Sequence, residues 1–264
     1  MKTGFIGCGN MGGAMMQGIL AAGKCAPEDM MASAAHAESL KKKKEMLGIL
    51  TSESNTEVAA FADILFLAVK PQYYPQVIAE IKDAVTPEKI VVSLAPGKTL
   101  AWLSELFGAQ TKLVRIMPNT PAMVGEGMTG ICPGKHVTEG ELNQICDLCS
   151  GFGRSEVVPE HLMDVVTGVS GSSPAYVFMF IEAMADAAVA DGMPRAQAYK
   201  FAAQAVLGSA KMVLETGRHP GELKDMVCSP GGTTIEAVRV LEEKGMRSAV
   251  FEAMKACVKK SRGM

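Results

Sequence analysis

The chain has 264 residues, enough for one large domain or two ordinary ones with a substantial core. Apolar residues make up 48% and aromatic residues only 5%, so the interior is predicted to be aliphatic. The formal net charge of −2 gives no electrostatic reason to expect a nucleic acid or an anionic membrane surface as partner.

The first predicted strand, over residues 2–6, leads directly into a glycine-rich turn and then into apolar residues at helical spacing. The turn reads Gly7-Cys8-Gly9-Asn10-Met11-Gly12, and between a strand and a helix this Gly-x-Gly-x-x-Gly pattern favours dinucleotide binding. The first glycine permits a tight turn, the second lets the backbone approach a diphosphate, and the third allows close helix–strand packing. The diphosphate is expected at the free amides of the helix N-terminus. A purely structural glycine turn is the alternative.

The second predicted strand, Met30–Ser33, bears on the choice of nucleotide. In an NAD-specific fold an Asp or Glu ends this strand and binds the ribose hydroxyls. Here the strand ends in Ser33-Ala34 without an acid, so a 2′-phosphate is not repelled. NADPH is therefore the predicted cofactor, with NADH as the alternative. We expect Ser33 and His36 to contact the phosphate, and the lysine run 41–44 to be a solvated helix face.

Strands and helices alternate as far as about residue 158, which predicts a doubly wound parallel sheet. The later strands are predicted at 63–69, 90–94, 113–117, 128–132 and 155–158, with helices at 74–85, 100–107 and 142–150. Ligands of such sheets gather at the carboxyl ends of the strands. The turn-rich segments 68–71, 94–97 and 117–121 all fall there.

The seven cysteines are scattered and odd in number, unlike a secreted disulfide scaffold. With no signal-peptide pattern at the N-terminus, they predict a cytoplasmic protein. Cys146 and Cys149 form a C-x-x-C within a predicted helix. A zinc or redox site would need a second ligand pair or a strand-to-helix context, so we expect structural cysteines and no metal site.

From about His161 the strand-like runs give way to long apolar helices, predicted at 176–190, 195–215, 235–244 and from there to 260. Residues 176–181 are consecutively apolar, so this helix needs cover from its own domain or from a second subunit. Glu182 and Asp186 interrupt the run too soon for a membrane span. The predicted fold class is thus α/β, a Rossmann-like doubly wound domain over residues 1–160, plus an all-α dimerisation domain over residues 161–264.

Candidates for acid–base chemistry are few, because the four histidines are isolated and form no metal-spaced cluster. Oxidation of an alcohol needs a base, and dehydrogenases of 3-hydroxy acids supply a lysine early in their second domain. Here the segment Gly168–Val177 contains no lysine, and the next one is Lys200. Imine reduction is easier to support, because a protonated imine is already electrophilic.

The segment Cys228–Glu236 allows two interpretations. Thr233 and Glu236 have the spacing of a capping box, so the segment can be a proline-glycine turn followed by a helix cap. Alternatively, the amides of Gly232, Thr233 and Thr234, with the Ser229 and threonine hydroxyls, form a pocket for a carboxylate. Thr234 can also bond a substrate nitrogen.

Four segments together resemble the pyrroline-5-carboxylate reductase family, enzymes that make proline. They are Ala68–Pro71, Met117–Pro121, Gly168–Tyr176 and Ser229–Ile235, and the resemblance covers essentially the whole chain in order. It implies an NADP domain and a helical dimerisation domain, with dimers assembled further into a ring such as a decamer. The cofactor contacts that it implies are Ile6, Gly7, Cys8, Gly9, Asn10, Met11, Asn55, Ala68, Val69, Lys70, Pro71, Leu94, Ala95 and Pro96.

The same resemblance implies substrate contacts at Ser229, Gly232, Thr233 and Thr234, with Thr234 as the catalytic hydrogen-bond partner of the ring nitrogen. The expected reaction is NADPH-dependent reduction of 1-pyrroline-5-carboxylate to L-proline, at the junction of the two domains with a neighbouring subunit. Pro96 stands where many relatives have an alanine, and Met226 stands where some have an asparagine; both departures bear on affinity. Another cyclic imine, a 3-hydroxy acid, or a non-catalytic NADP-sensing role are the alternatives.

Overall fold

The computed structural model describes residues 1–263, which form two compact units. Of these residues, the first unit consists of 1–172 and 257–263, and the second of 173–256. In the first unit the returning chain is fixed where the Ser261 hydroxyl donates to Asp164 Oδ1 at 2.6 Å. This division differs from the domain boundary at 160/161, which stays a prediction.

The first unit contains an eight-stranded sheet in the order β3-β2-β1-β4-β5-β6-β7-β8. Its strands are β1 (Thr3–Ile6), β2 (Met30–Ser33), β3 (Leu50–Ser52), β4 (Ile64–Leu67), β5 (Ile90–Ser93), β6 (Lys112–Met117), β7 (Gly127–Pro133) and β8 (Gly153–Val157). The predicted doubly wound sheet is confirmed. Two features were not predicted: the short edge strand β3, and the antiparallel pairing of β6 with β7 in an otherwise parallel sheet.

Within residues 1–172, six α-helices between the strands, and a seventh after β8, flank this sheet. They are α1 (Asn10–Ala21), α2 (Ala37–Leu47), α3 (Asn55–Phe61), α4 (Tyr74–Ile81), α5 (Leu100–Phe107), α6 (Glu139–Ser150) and α7 (Met163–Val166). The helix predicted at 74–85 is α4 continued by the 3-10 turn Lys82–Ala84. A π-helical turn over Thr167–Gly171 follows α7.

The core of the first unit lies on both faces of the sheet, because successive side chains of a strand point to opposite faces. Phe5 packs with Met15 and Ile19 of α1, and its ring stacks on Phe66 at 4.7 Å between centroids. Ile6 belongs instead to the opposite cluster, with Val58 and Tyr74. Burial on both faces explains the continuous apolar runs of these strands.

Among its described residues, the second unit contains helices joined by short turns and no strand. It comprises α8 (Ser173–Ala190), α9 (Arg195–Thr216), α10 (Pro220–Val227), α11 (Thr233–Glu243) and the first part of α12 (Met246–Arg262). Its large apolar side chains are widely exposed: Phe178 by 63%, Phe201 by 67% and Phe251 by 60%. The unit therefore presents apolar helix faces that its own helices do not cover.

One helical stretch, Glu160–Ala190, is long and apolar enough to cross a membrane by length and composition alone. The mean hydropathy of its most apolar window is 1.2, and only 6% of that window is buried. Such a stretch is equally compatible with a helix that packs in a subunit interface.

Candidate cofactor site and carboxylate-binding turn

The three glycines of the first turn have three different surroundings. Gly7 has a φ of +100°, and a Cβ there would lie 2.7 Å from the carbonyl oxygen of Ala68. A Cβ on Gly12 would lie 2.5 Å from the carbonyl oxygen of Gly7. Gly9 is different, because a Cβ there would meet nothing within 4 Å. The open space over Gly9 fits the close approach of a diphosphate to the backbone.

The N-terminus of α1 is open to an anion. Gly9 is its N-cap, no side chain caps it, and the first turn contains no acidic residue. The amide of Gly13 bonds back to the Gly9 carbonyl at 2.8 Å, so the amides before Gly13 precede the helical ladder. Burial raises the pKa of the neighbouring Cys8 thiol, and the positive charge of Lys43 opposes that rise. These features fit the phosphates of a dinucleotide.

Backbone hydrogen bonds align the ends of four strands beside this turn. The Gly7 amide donates to the Ser33 carbonyl at 2.9 Å, and the Ala68 amide to the Ile6 carbonyl at 2.8 Å. The Leu94 amide donates to the Leu67 carbonyl at 3.3 Å. The chain reverses its strand order between β1 and β4, and ligands of doubly wound sheets bind at that point. The loops predicted to hold the cofactor are therefore neighbours.

Ser33 and Asn55, both predicted cofactor residues, are joined by a hydrogen bond. Asn55 also bonds Glu80, a residue that the sequence analysis did not single out. The buried Ser33 hydroxyl donates to Asn55 Oδ1 at 2.7 Å. The Asn55 amide in turn donates to Glu80 Oε2 at 2.7 Å. Glu80 thus fixes the orientation of Asn55. Only the packing of α4 against α3 brings Glu80 there, so no local pattern indicates it.

The residues after β2 differ from one another in exposure. His36 is exposed at the N-cap of α2, and its side chain makes no capping hydrogen bond. Lys41, Lys42 and Lys44 are exposed, as expected for a solvated face. Lys43 departs from that prediction, because it is half-buried. A Cβ built on Gly13 would collide with the Lys43 ammonium nitrogen.

Tyr74 is the second residue near the site that the sequence did not indicate. It is fully buried, and its hydroxyl donates to the Leu67 carbonyl at 2.6 Å. The same oxygen accepts from the Leu94 amide at 3.1 Å and from the Ser93 hydroxyl at 3.2 Å. Burial raises its pKa to about 12, so it is a neutral donor at physiological pH. Tyr74 therefore joins the ends of β4 and β5, where the loops 68–71 and 94–96 begin.

In the second unit, the turn before α11 depends on its two glycines. Gly231 has a φ of +70°, and a Cβ on Gly232 would collide with the Ser229 hydroxyl. The Gly232 amide donates to the Ser229 carbonyl at 3.0 Å. The turn thus holds the Ser229 side chain close to the start of α11.

The predicted capping box at Thr233 and Glu236 is wrong. Thr233 is the first residue of α11, Gly232 is the N-cap, and no side chain caps the helix. Glu236 pairs instead with Arg239 at 2.7 Å, because a residue three positions along a helix is within reach. The first-turn amides of Thr233 and Thr234 are left available to an anion, as the carboxylate interpretation requires.

The remaining predicted features take the following positions. Cys146 and Cys149 lie in α6 within the core, and burial raises the pKa of Cys149 well above its ordinary range. Over residues 1–263, no group of three or more His, Cys, Asp or Glu side chains is arranged to hold a metal. Pro96 is half-buried, whereas Met226 is exposed and its sulfur accepts from Arg218 at 3.3 Å.

Fold and site together define a dinucleotide-dependent oxidoreductase with a helical second region. Two family models match the chain: NADP oxidoreductase coenzyme F420-dependent over residues 2–97, and pyrroline-5-carboxylate reductase dimerisation over residues 160–264. The chain is 56% identical to the pyrroline-5-carboxylate reductase of Escherichia coli over 98% of its own length and 97% of the relative's. It therefore belongs to the pyrroline-5-carboxylate reductase family.

Solved structures of this family superpose on the whole chain. The pyrroline carboxylate reductase of Plasmodium falciparum with NADP bound has a TM-score of 0.90 and 33% identity, with 100% of this chain and 97% of that one covered. The Coxiella burnetii pyrroline-5-carboxylate reductase has a TM-score of 0.93 and 34% identity, covering 99% and 97%. A ketol-acid reductoisomerase from an uncultured archaeon, at 14% identity, shares only the fold.

Proposed function

We propose that this protein catalyses the NADPH-dependent reduction of 1-pyrroline-5-carboxylate to L-proline. The observation that carries the proposal is identity along almost the whole chain to relatives of that name, 56% in Escherichia coli and 49% in Methanosarcina acetivorans. The open space over Gly9 and the uncapped start of α11 supply the two anion sites that such a reaction needs. Cytoplasmic placement is part of the proposal, supported by seven unpaired cysteines.

The cofactor half of the site is assigned to the first unit. The diphosphate binds the amides at the start of α1 over Gly9, and the segments 68–71 and 94–96 line its course. Ser33 and Asn55 receive the adenosine ribose, where the lack of an acid at the end of β2 accommodates a 2′-phosphate. Bound NADPH supplies the hydride. The chain's own part is to hold the dinucleotide in one orientation.

The substrate half is assigned to the turn before α11. The carboxylate binds the amides of Thr233 and Thr234 together with the Ser229 hydroxyl. The Thr234 hydroxyl bonds the ring nitrogen and orients the imine carbon toward the hydride. The carbon gains the hydride and the nitrogen keeps its proton, which gives the amine of proline. Positioning and exclusion of water then account for most of the rate enhancement.

The exposed apolar faces of α8, α9 and α12 are assigned to a homodimer. The region 160–264 matches a dimerisation family, and a partner copy is the cover that these faces require. This assignment also accounts for the apolar stretch 160–190 without a membrane. Assembly of dimers into a larger ring such as a decamer is the further expectation, which light scattering of the purified protein measures.

Turnover and a matched pair of variants test the reaction. Purified protein with 1-pyrroline-5-carboxylate should oxidise NADPH, and NADH more slowly, with proline as product. If the protein binds the nucleotide without turnover, the substrate assignment is wrong, and other cyclic imines and 3-hydroxy acids are then assayed.

Thr234→Val, which replaces the hydroxyl by a methyl group, should lower kcat by about 10- to 100-fold, the range for a hydrogen bond to a charged group. Thr234→Ser should retain most of the rate, and equal rates for both variants exclude the hydroxyl from the mechanism.

A further inference from the structure

Lys43 occupies an unusual position for a lysine on a helix surface. It lies on α2, yet its side chain extends over α1 so that its ammonium and Cε would collide with any Cβ on Gly13. Gly13 is buried and directly follows the last glycine of the Gly-x-Gly-x-x-Gly turn. A glycine within a helix is less favourable than an alanine, so the glycine at position 13 is explained if the Lys43 side chain needs the space that a Cβ would fill.

The charge of Lys43 is not compensated by the protein. Within residues 1–263 its ammonium makes no hydrogen bond or ion pair, although the adjacent Lys42 pairs with Glu38 at 2.7 Å. The first turn of α1 contains no acidic residue. A cation beside the positive end of a helix dipole is unfavourable, so this arrangement raises the energy of the protein without ligand.

A bound anion compensates both the charge of Lys43 and the positive end of the α1 dipole. The amides at the start of α1 and the ammonium of Lys43 then face the same negative charge. The positive charge already reaches the glycine turn, since it opposes the rise in the pKa of the Cys8 thiol that burial causes. The half-buried lysine stem limits the solvent that screens this charge.

We propose that Lys43 supplies positive charge to the phosphates of the bound nicotinamide dinucleotide, and that Gly13 is small so that Lys43 can lie there. The inference rests on the cofactor assignment of the proposed function. Lys43 is a binding residue in this account and takes no part in hydride transfer. The phosphate concerned is either the diphosphate or the 2′-phosphate of the adenosine ribose.

Equilibrium binding of NADPH and of NADH to the full-length protein, measured by calorimetry without substrate, tests the inference. Lys43→Met should raise the Kd by about two- to fivefold, as expected for a partly exposed charge pair. Lys44→Met removes the same charge from an exposed position on the same helix and should leave the Kd unchanged. The effect of Lys43→Met should shrink as salt is added, because salt screens the charge.

A second variant tests the position of the ammonium while its charge is kept. Gly13→Ala displaces the flexible end of Lys43 and suits a helix, so the protein should fold with an unchanged or higher Tm. It should weaken binding as Lys43→Met does, and the double variant should bind no more weakly than either single one. A wild-type Kd for Gly13→Ala refutes the proposed position.

The two nucleotides identify the phosphate. A loss confined to NADPH assigns Lys43 to the 2′-phosphate, and an equal loss for NADH assigns it to the diphosphate. If Lys43→Met binds both nucleotides as Lys44→Met does, the inference is refuted. If the wild-type protein binds neither nucleotide, the proposed function itself fails first, so the two failures are distinguishable.

Discussion

Removal of the Tyr74 hydroxyl should weaken both the first unit and its affinity for NADPH. The hydroxyl is fully buried and has three partners: the Leu67 carbonyl, the Leu94 amide and the Ser93 hydroxyl. In Tyr74→Phe, the Leu94 amide keeps only its longer bond to the Leu67 carbonyl at 3.3 Å. With about 1 kcal/mol for each lost bond and partial compensation by that contact, the unfolding free energy should fall by about 2 kcal/mol.

Thermal unfolding and nucleotide binding measure these two effects. The unfolding midpoint should fall by about 4–8 °C for a unit of this size. The Kd for NADPH should also rise, because the loops after β4 and β5 lose their common support. Tyr73→Phe is the matched control, since Tyr73 is half exposed and its hydroxyl makes no hydrogen bond within residues 1–263. A Tyr74→Phe protein with the midpoint and Kd of this control refutes the assigned role of the hydroxyl.

The pH dependence of stability provides an independent measurement of the same contact. Burial raises the pKa of Tyr74 from 10.0 to about 12 in the folded protein. The neutral hydroxyl therefore stabilises the fold fully below pH 10, and this contribution is lost as the pH rises from 10 to 12. The shift corresponds to about 3 kcal/mol. The difference in stability between wild type and Tyr74→Phe, about 2 kcal/mol below pH 10, should therefore vanish within that window, and a constant difference contradicts the burial argument.

Three further predictions concern other parts of the first unit. Gly9→Ala should fold normally but raise the Kd for NADPH at least tenfold, because its Cβ fills the space over the turn; calorimetry measures this. Gly12→Ala should instead lower the Tm, since its Cβ meets a backbone carbonyl at 2.5 Å, and an unchanged Tm contradicts this. Arg115→Met should lower the unfolding free energy in urea by about 2–3 kcal/mol, because it removes the partner of Glu160 at 2.7 Å. Glu160→Gln should cost at least as much, because it leaves the more deeply buried guanidinium of Arg115 without its counter-charge, and a smaller loss contradicts this.

The sequence predicts the central strands β1, β4 and β5 well because each is buried on both faces, and β4 and β5 read as apolar runs. The strand at Met30–Ser33 and the helix at Leu100–Phe107 have the predicted bounds. The strand Leu50–Ser52 was missed, because it is three residues long and largely polar at the sheet edge. The antiparallel pairing of β6 with β7 had a signal, since the short connection 118–126 holds only a 3-10 turn and a parallel crossover needs a dozen residues or more.

The conformation of the candidate site could be predicted from the sequence where it depends on local backbone geometry, and not where it depends on tertiary contacts. The glycine turn and the turn before α11 carry their conformation in local sequence, because only glycine suits a positive φ there. Tyr74 and Glu80 act across strands and helices far apart in the sequence, so no local pattern indicates them. The same holds for Lys43. In the sequence it cannot be distinguished from the other lysines of the run 41–44, and only the contact of its side chain with α1 sets it apart.

The return of the chain makes the first unit discontinuous in the sequence. Residues 257–263 complete it, and Ser261 is buried there against Asp164. The whole helical unit, residues 173–256, is therefore an insertion between two parts of one compact unit. A fragment of residues 1–172 leaves Asp164 without Ser261, so cutting the chain between the two units does not reproduce the first unit intact.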